Sequence, residues 1–285
     1  STKMQKINLV TVVGHNITML PHMLEHYKNI VDEIYVVVYR QHENDGILDE
    51  IKSLGITPYK VVTEEKFNWE RVTQLYNEIK RTKPQEWWVV SDDDEFHVYP
   101  KPIREMISEC EENGWEFITG GFLDRIGENG EFPLVTKETN IWSKFPLAGF
   151  FRYPMSGACP NKVCIMKGSI DVTPGQHYAI IDEAHVWGTE GVSHPLRYPI
   201  GRGEGFIQVH HFKWDSTVLE RLKEVSETEE KYSFWEEYKK MYKAIQINDW
   251  KVDINNPEFM LEKMESNFHF DYSKWNRLTR KIISI

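Results

Sequence analysis

The chain has 285 residues, 40% apolar and 27% charged, which suits one large domain or a domain with an appendage and excludes a disulfide miniprotein. Its 34 basic and 44 acidic residues give a formal charge of −10, which argues against a general nucleic-acid coat. Ordinary counts of glycine (17) and proline (13) exclude collagen-like and low-complexity chains.

Ile7 to Val13 is a β-branched run ending at Gly14, after which Leu20, Met23, Leu24 and Tyr27 recur at helical spacing. The same strand-turn-helix unit recurs from Glu33 to Tyr39, through Asn44-Asp45-Gly46, into Ile47, Leu48, Ile51 and Leu54. A third strand is expected over Thr57 to Val62, a third helix over Trp69 to Ile79 and a fourth strand over Glu86 to Val90. Strands apolar on both faces, alternating with helices, predict an α/β fold with a mostly parallel central sheet flanked by helices. The turns Gly14 to Asn16, Arg40 to Asp45 and Asp92 to Glu95 then open on one edge, the carboxyl ends of the strands, where ligands gather.

A helix over Pro102 to Asn113 and a strand over Glu116 to Gly120 follow. Residues 121 to 205, rich in glycine, proline and aromatics, are expected to form short strands and irregular structure on an acceptor side. Ile207 to His211 reads as the last strand. Beyond it Ser226-Glu227-Thr228-Glu229 reads as a capping box for a helix running through Ala244. The expected organisation is a catalytic domain over 1–215 and a helical extension over 216–285 packed on it.

Three cysteines, Cys110, Cys159 and Cys164, form no CxxC pair, so reducing cytoplasm is the expected compartment. Apolar runs stay far below the ~20 residues of a spanning helix. Lys274, Arg277, Arg280 and Lys281 among Trp275, Leu278 and Ile282 could make a weak peripheral membrane contact, although a basic helix docked on its own domain is the preferred reading.

Asp92-Asp93-Asp94-Glu95 directly follows an apolar strand. Four adjacent carboxylates repel one another unless solvent screens them or a cation neutralises them, and an oxygen-rich set suits Mg²⁺ or Mn²⁺. Strand alternation points Asp92 and Asp94 one way and Asp93 the other. Far downstream, His210-His211-Phe212-Lys213-Trp214 closes the last strand; on ideal geometry only one of the two histidines enters the crevice, and His211 shares its face with Lys213. The bland alternatives are a solvated acidic turn and a hydrogen-bonded structural histidine.

Tyr76-Asn77-Glu78, Trp87 through Phe96, Leu123-Asp124-Arg125-Ile126 with Gly130, Phe145-Pro146, Lys162-Val163, Gly175-Gln176-His177 and His210 through Trp214 together resemble family-2-like glycosyltransferases of the GT-A fold, a bacterial and viral subgroup, over roughly residues 7 to 215. The resemblance implies a nucleoside-diphosphate-sugar donor, a UDP-sugar above others, a glycan or other hydroxyl acceptor, and a Mn²⁺ or Mg²⁺ cofactor. It implies metal contacts from Asp92 and Asp94 and from His211 or else His210. Donor contacts are expected from Val13, Gly14, His15, Asn16, Arg40, Asn77, Asp92, Asp93, Glu95, Arg125, Lys162, His177, Lys213 and Trp214. The family's acid after the first strand is missing here, where His15-Asn16-Ile17 stands, and the acid after the second is replaced by Arg40 or postponed to Asp45. Its Glu-Asp base motif is missing too, which leaves Asp124, Asp182, Glu183 and His185 as candidate bases. Trp187 and Trp214 are the expected sugar platforms. Two other classes are kept: a metal-dependent phosphoester or sugar-nucleotide hydrolase, and a non-catalytic nucleotide- or glycan-binding module.

Overall fold

A computed structural model describes residues 5–188, 192–200, 205–228, 234–264 and 272–283. By contact the chain divides into unit 1, Ser1–Gly120 with Asn161–Ile207, and unit 2, Gly121–Pro160 with Gln208–Ile285. This division differs from a boundary near residue 215. The helices beyond 216 share a core with the 121–160 segment, where Ile126 and Phe151 pack with Trp214, Leu222, Met241 and Ile245.

In chain order, the first elements are β1 (Ile7–Val13), α1 (Leu20–Tyr27), β2 (Glu33–Arg40), α2 (Ile47–Ser53), β3 (Lys60–Thr63) and α3 (Trp69–Arg81). Then come β4 (Trp87–Val90), β5 (Glu95–Val98), α4 (Ile103–Asn113) and β6 (Phe117–Ile126), a strand that begins in unit 1 and ends in unit 2. Next are α5 (Ile141–Lys144), β7 (Leu147–Gly149), α6 (Arg152–Ser156), β8 (Asn161–Lys167), β9 (Asp171–Val172), β10 (Ala179–Ile181) and β11 (Ala184–Val186). The chain closes with β12 (Ile207–His211), α7 (Val218–Ser226), α8 (Trp235–Ile247), β13 (Glu262–Lys263) and α9 (Tyr272–Ile283).

Unit 1 is the expected α/β layer structure. Its strands run in the order β8-β4-β1-β2-β3. β1 is parallel to β2 and β4, with Val13 opposite Val38 and Val10 opposite Val90, and β3 is parallel to β2, with Arg40 opposite Thr63. Only β8 runs antiparallel in this set, Trp88 facing Met166. The parallel strands therefore end together, which brings Gly14, Arg40 and Ser91 to one edge.

Alternation along the strands decides which helix covers which face. Val10, Val12, Val37 and Trp88 form a cluster with Leu75, Tyr76 and Ile79 of α3, whose first turn is capped by the Asn68 side chain accepting from the Glu70 N–H. Trp87 faces the other way, and its indole donates to Glu111 of α4 at 2.7 Å. Each such fully buried apolar side chain contributes about 1.5–3 kcal/mol. Gly14 is required where it stands, because a Cβ there would lie 2.7 Å from the Tyr39 carbonyl oxygen.

β9, β10 and β11 form a separate antiparallel sheet. In unit 2 the end of β6 pairs antiparallel with β7, Arg125 opposite Ala148, and β7 pairs with β13. Ser226 does not cap a following helix. It is the last residue of α7, its hydroxyl donates to the Lys223 carbonyl, and α8 starts at Trp235; Glu229 lies outside the described residues. Among the described residues no helix is long and apolar enough to cross a membrane.

Candidate active-site residues

The acidic run is a turn between β4 and β5, fixed from beneath. Tyr76, fully buried on α3, donates its hydroxyl to Asp92 Oδ1 at 2.6 Å and accepts the Val12 N–H at 3.1 Å. Burial, then the Asp92 charge, holds this phenol well above its ordinary value, so it acts as a donor. Glu95 turns inward. It accepts the Asp92 N–H at 3.2 Å and pairs with Lys162 at 3.2 Å, both side chains being almost fully buried. Asp93 keeps Oδ2 buried without a hydrogen-bond partner; burial first, then the Asp94, Asp92 and Glu95 charges, push its carboxyl well above the usual range.

Several expected donor ligands also make contacts within the scaffold of unit 1. Lys162 also donates to the Gly175 carbonyl and to Gln176 Oε1, both at 2.7 Å, so its ammonium has three acceptors within the protein. It orients Glu95. Asn77 clamps the Val172 backbone in both directions at 3.0 Å, which is a structural staple joining α3 to β9. His177 Nδ1 lies 2.8 Å from the Asn161 carbonyl. Asn16 accepts from its own turn, from the Thr18 N–H at 2.9 Å. Arg40 donates to Thr63 and to the Glu43 carbonyl, with Asp45 at 3.6 Å. Val13 is the last residue of β1, and Gly14 and His15 follow it directly.

Of the candidate bases, Asp182 and Glu183 are the two central residues of the β10–β11 hairpin, both at positive φ (49° and 66°). That is the backbone of a type I′ turn. His185 is exposed on β11, its ring stacked on Tyr178. Trp187 contacts Tyr178 edge-on.

In unit 2 the fourth candidate base, Asp124 on β6, is buried in a nest of N–H groups. Its Oδ1 accepts from Trp214 Nε1 at 3.1 Å and lies 3.1 Å from His211 Nδ1, and its Oδ2 accepts the Arg152 N–H at 3.3 Å. Trp214 is wholly buried against Phe151, so it forms core and offers no face to a sugar. Arg125 is equally enclosed. Its guanidinium donates to the Phe145, Trp142 and Met264 carbonyls and toward His210 Nδ1 at 3.3 Å, and burial lowers its pKa to about 10. His210 Nε2 reaches Gln208 Oε1 at 2.9 Å. Lys213 donates to the Tyr238 hydroxyl and lies 4.2 Å from its ring centroid. Burial works to raise that phenol, but the charges of Lys213, Arg152 and Arg221 outweigh it and leave its pKa below the usual value.

Sequence reasoning assigned no site role to Tyr76, Arg152 or Tyr238. Tyr76 carried a signal: a tyrosine on the apolar face of a helix must find a partner for its hydroxyl. Arg152 and Tyr238 carried none. On α9, Lys274 pairs with Glu262, and Trp275 and Leu278 are buried, so its apolar face is used within the protein; the side chains of Arg280 and Lys281 lie outside the described residues.

No family model matches the chain, and no curated protein matches it. Among solved structures, a protein assigned as a glucose-1-phosphate thymidylyltransferase from Bacillus anthracis aligns at 13% identity and TM-score 0.28, over 45% of this chain and 58% of that one. TarS 1-349 from S. aureus aligns at 15% identity and TM-score 0.29, over 57% of this chain and 47% of that one. A 4-diphosphocytidyl-2C-methyl-D-erythritol synthase aligns at 13% identity and TM-score 0.30, over 59% of this chain and 78% of that one. The chain thus spans about half the length of the first two. Similarity this low assigns neither family nor activity.

Proposed function

We propose that the protein is a metal-dependent glycosyltransferase, moving a sugar from a nucleoside-diphosphate sugar, a UDP-sugar above others, to a hydroxyl of a glycan acceptor. The observation that carries this reading is the acidic turn itself. It stands where β1, β2 and β4 end together, with its carboxylates braced by Tyr76 and Lys162 and one oxygen of Asp93 buried without a partner. A cluster of hard oxygens at the carboxyl edge of a parallel sheet is suited to a divalent cation and a phosphorylated ligand.

Asp92 and Asp94 are the residues of unit 1 that would hold Mn²⁺ or Mg²⁺. When bound, the ion supplies positive charge against the leaving diphosphate. In unit 2, His211 is the candidate metal ligand in preference to His210, whose two ring nitrogens are both engaged by Arg125 and Gln208. Tyr76 fixes the orientation of Asp92, and Lys162 fixes Glu95, so the turn keeps its shape without a ligand. Val13 to Asn16 and Arg40 line the edge for the nucleoside.

In the transfer, the acceptor oxygen bonds to the anomeric carbon, the bond from that carbon to the phosphate oxygen breaks, and the nucleoside diphosphate leaves with the electron pair. The acceptor proton goes to a base, for which the exposed Asp182, Glu183 and His185 are the candidates. Cytoplasmic location belongs to the same reading.

The test is release of nucleoside diphosphate from a panel of nucleotide sugars with Mn²⁺, with and without oligosaccharide acceptors. Acceptor-stimulated release is expected. Full turnover without any acceptor indicates a hydrolase instead, and tight donor binding with no turnover at all indicates a binding module.

A further inference from the structure

The two adjacent histidines of β12 differ in what surrounds them. Asp124 meets His211 Nδ1 at 3.1 Å, and the identity of the donor in that contact follows from its other partners. An indole N–H and a backbone N–H can only donate. Trp214 Nε1 and the Arg152 N–H therefore both use Asp124 as an acceptor, one on each oxygen. A carboxylate already accepting on both oxygens takes a third donor, so the proton of the shared contact sits on Nδ1 of His211. At His210 the logic reverses. Arg125 can only donate, so His210 Nδ1 is the acceptor at 3.3 Å and its proton sits on Nε2, facing Gln208 Oε1 at 2.9 Å.

We infer that Asp124 is a positioning residue that fixes His211 as the Nδ1–H tautomer with its lone pair on Nε2, while Arg125 fixes His210 in the opposite tautomer. Asp124 is then no catalytic base: it is 1% exposed and its oxygens are occupied by N–H groups. Phe122 packs on the His211 ring, centroids 4.8 Å apart, and restricts its rotation. A carboxylate behind an imidazole is the arrangement that raises the basicity of the opposite nitrogen and orients it toward a metal. That use of Nε2 rests on the cation proposed above; the tautomer does not.

The test separates the two. Long-range ¹H–¹⁵N correlation spectra of the full chain, ¹⁵N-labelled at histidine, free of metal and recorded near pH 8, above the ordinary imidazole value of about 6.5, read each tautomer directly. His210→Gln and His211→Gln assign the signals. The expected result is a proton on Nδ1 of His211 and on Nε2 of His210. A proton on Nε2 of His211, or the same pattern at both residues, overturns the inference.

Asp124→Asn keeps a carbonyl oxygen and should retain the His211 tautomer, whereas Asp124→Leu should lose it and weaken Mn²⁺ binding about tenfold to a hundredfold by titration calorimetry. If the leucine variant does not fold, the wild-type and asparagine spectra still decide the tautomer. The expected tautomer combined with no measurable Mn²⁺ binding to wild type refutes the cation and leaves the positioning of His211 standing. Measurable binding whose affinity the folded leucine variant leaves unchanged refutes the positioning role toward the metal.

Discussion

Asp92 in unit 1 and Asp124 in unit 2 are both carboxylates held by neighbours, yet their surroundings differ. Asp92 has a tyrosine hydroxyl and three acidic neighbours in sequence, and on that turn a buried lysine pairs with Glu95. Asp124 stands alone among an indole, an imidazole and a backbone N–H. The first arrangement concentrates negative charge at a strand edge, which suits a cationic ligand. The second satisfies one carboxylate from within, which suits orientation of a neighbour. Carboxylates of one type thus serve two purposes according to the donors around them.

The buried cations sharpen the contrast. Lys162→Met in unit 1 removes the partner of Glu95 and leaves a buried carboxyl, with Gln176 Oε1 and the Gly175 carbonyl also losing a donor. A loss of about 3–5 kcal/mol in urea unfolding is expected. A change below 1 kcal/mol would mean that Glu95 is not held as an ion, and the contrast between the units would fail.

A smaller effect is expected from Tyr76→Phe. It strips the donor from Asp92 and the acceptor from the Val12 N–H, at about 1–3 kcal/mol. Nucleotide affinity should also fall, since Asp92 loses its orientation; a destabilised variant with unchanged affinity would separate Asp92 from the ligand.

The mildest probe is Lys80, buried on α3 against the Ile170 carbonyl and the Met166 sulfur. Burial, opposed in part by Asp171, lowers its pKa from 10.5 to about 7. Between those values the unfolded chain binds more protons than the folded one, so this group makes stability rise with pH from about 7 toward 10.5, by at most ~1.4 kcal/mol per pH unit. Urea midpoints measured from pH 7 to 9 should climb less steeply in Lys80→Met than in the parent. Equal slopes would show that Lys80 stays charged when buried, as Arg125 can with three carbonyls around its planar fork.

Much of unit 1 was legible in the sequence, because strands apolar on both faces announce a covered parallel sheet and Asp92 to Glu95 interrupt that pattern abruptly. The rest was hidden for physical reasons. Gly120-Gly121 looked like the end of a strand, but β6 runs on to Ile126; a Cβ at Gly120 would meet the Ile207 carbonyl at 2.2 Å and one at Gly121 the Trp275 indole at 1.8 Å. These glycines mark close approach, not a turn. Lys162, Arg125 and Asn77 resembled ligand contacts because sequence does not reveal which polar side chains meet buried carbonyls. Ser226 had the composition of a cap, while its position was decided by where the apolar face of α7 ran out at Val225.

The central claim is that the acidic turn binds a divalent cation together with a nucleoside diphosphate. Thermal unfolding of the wild type and of Asp94→Ala, each with Mn²⁺ alone, UDP alone and both, tests it most directly. The account predicts that Mn²⁺ and UDP together raise the midpoint of the wild type beyond the sum of their separate effects, and that Asp94→Ala folds but loses this synergy. An undiminished synergy in Asp94→Ala, or none in the wild type with any nucleoside diphosphate, would contradict it.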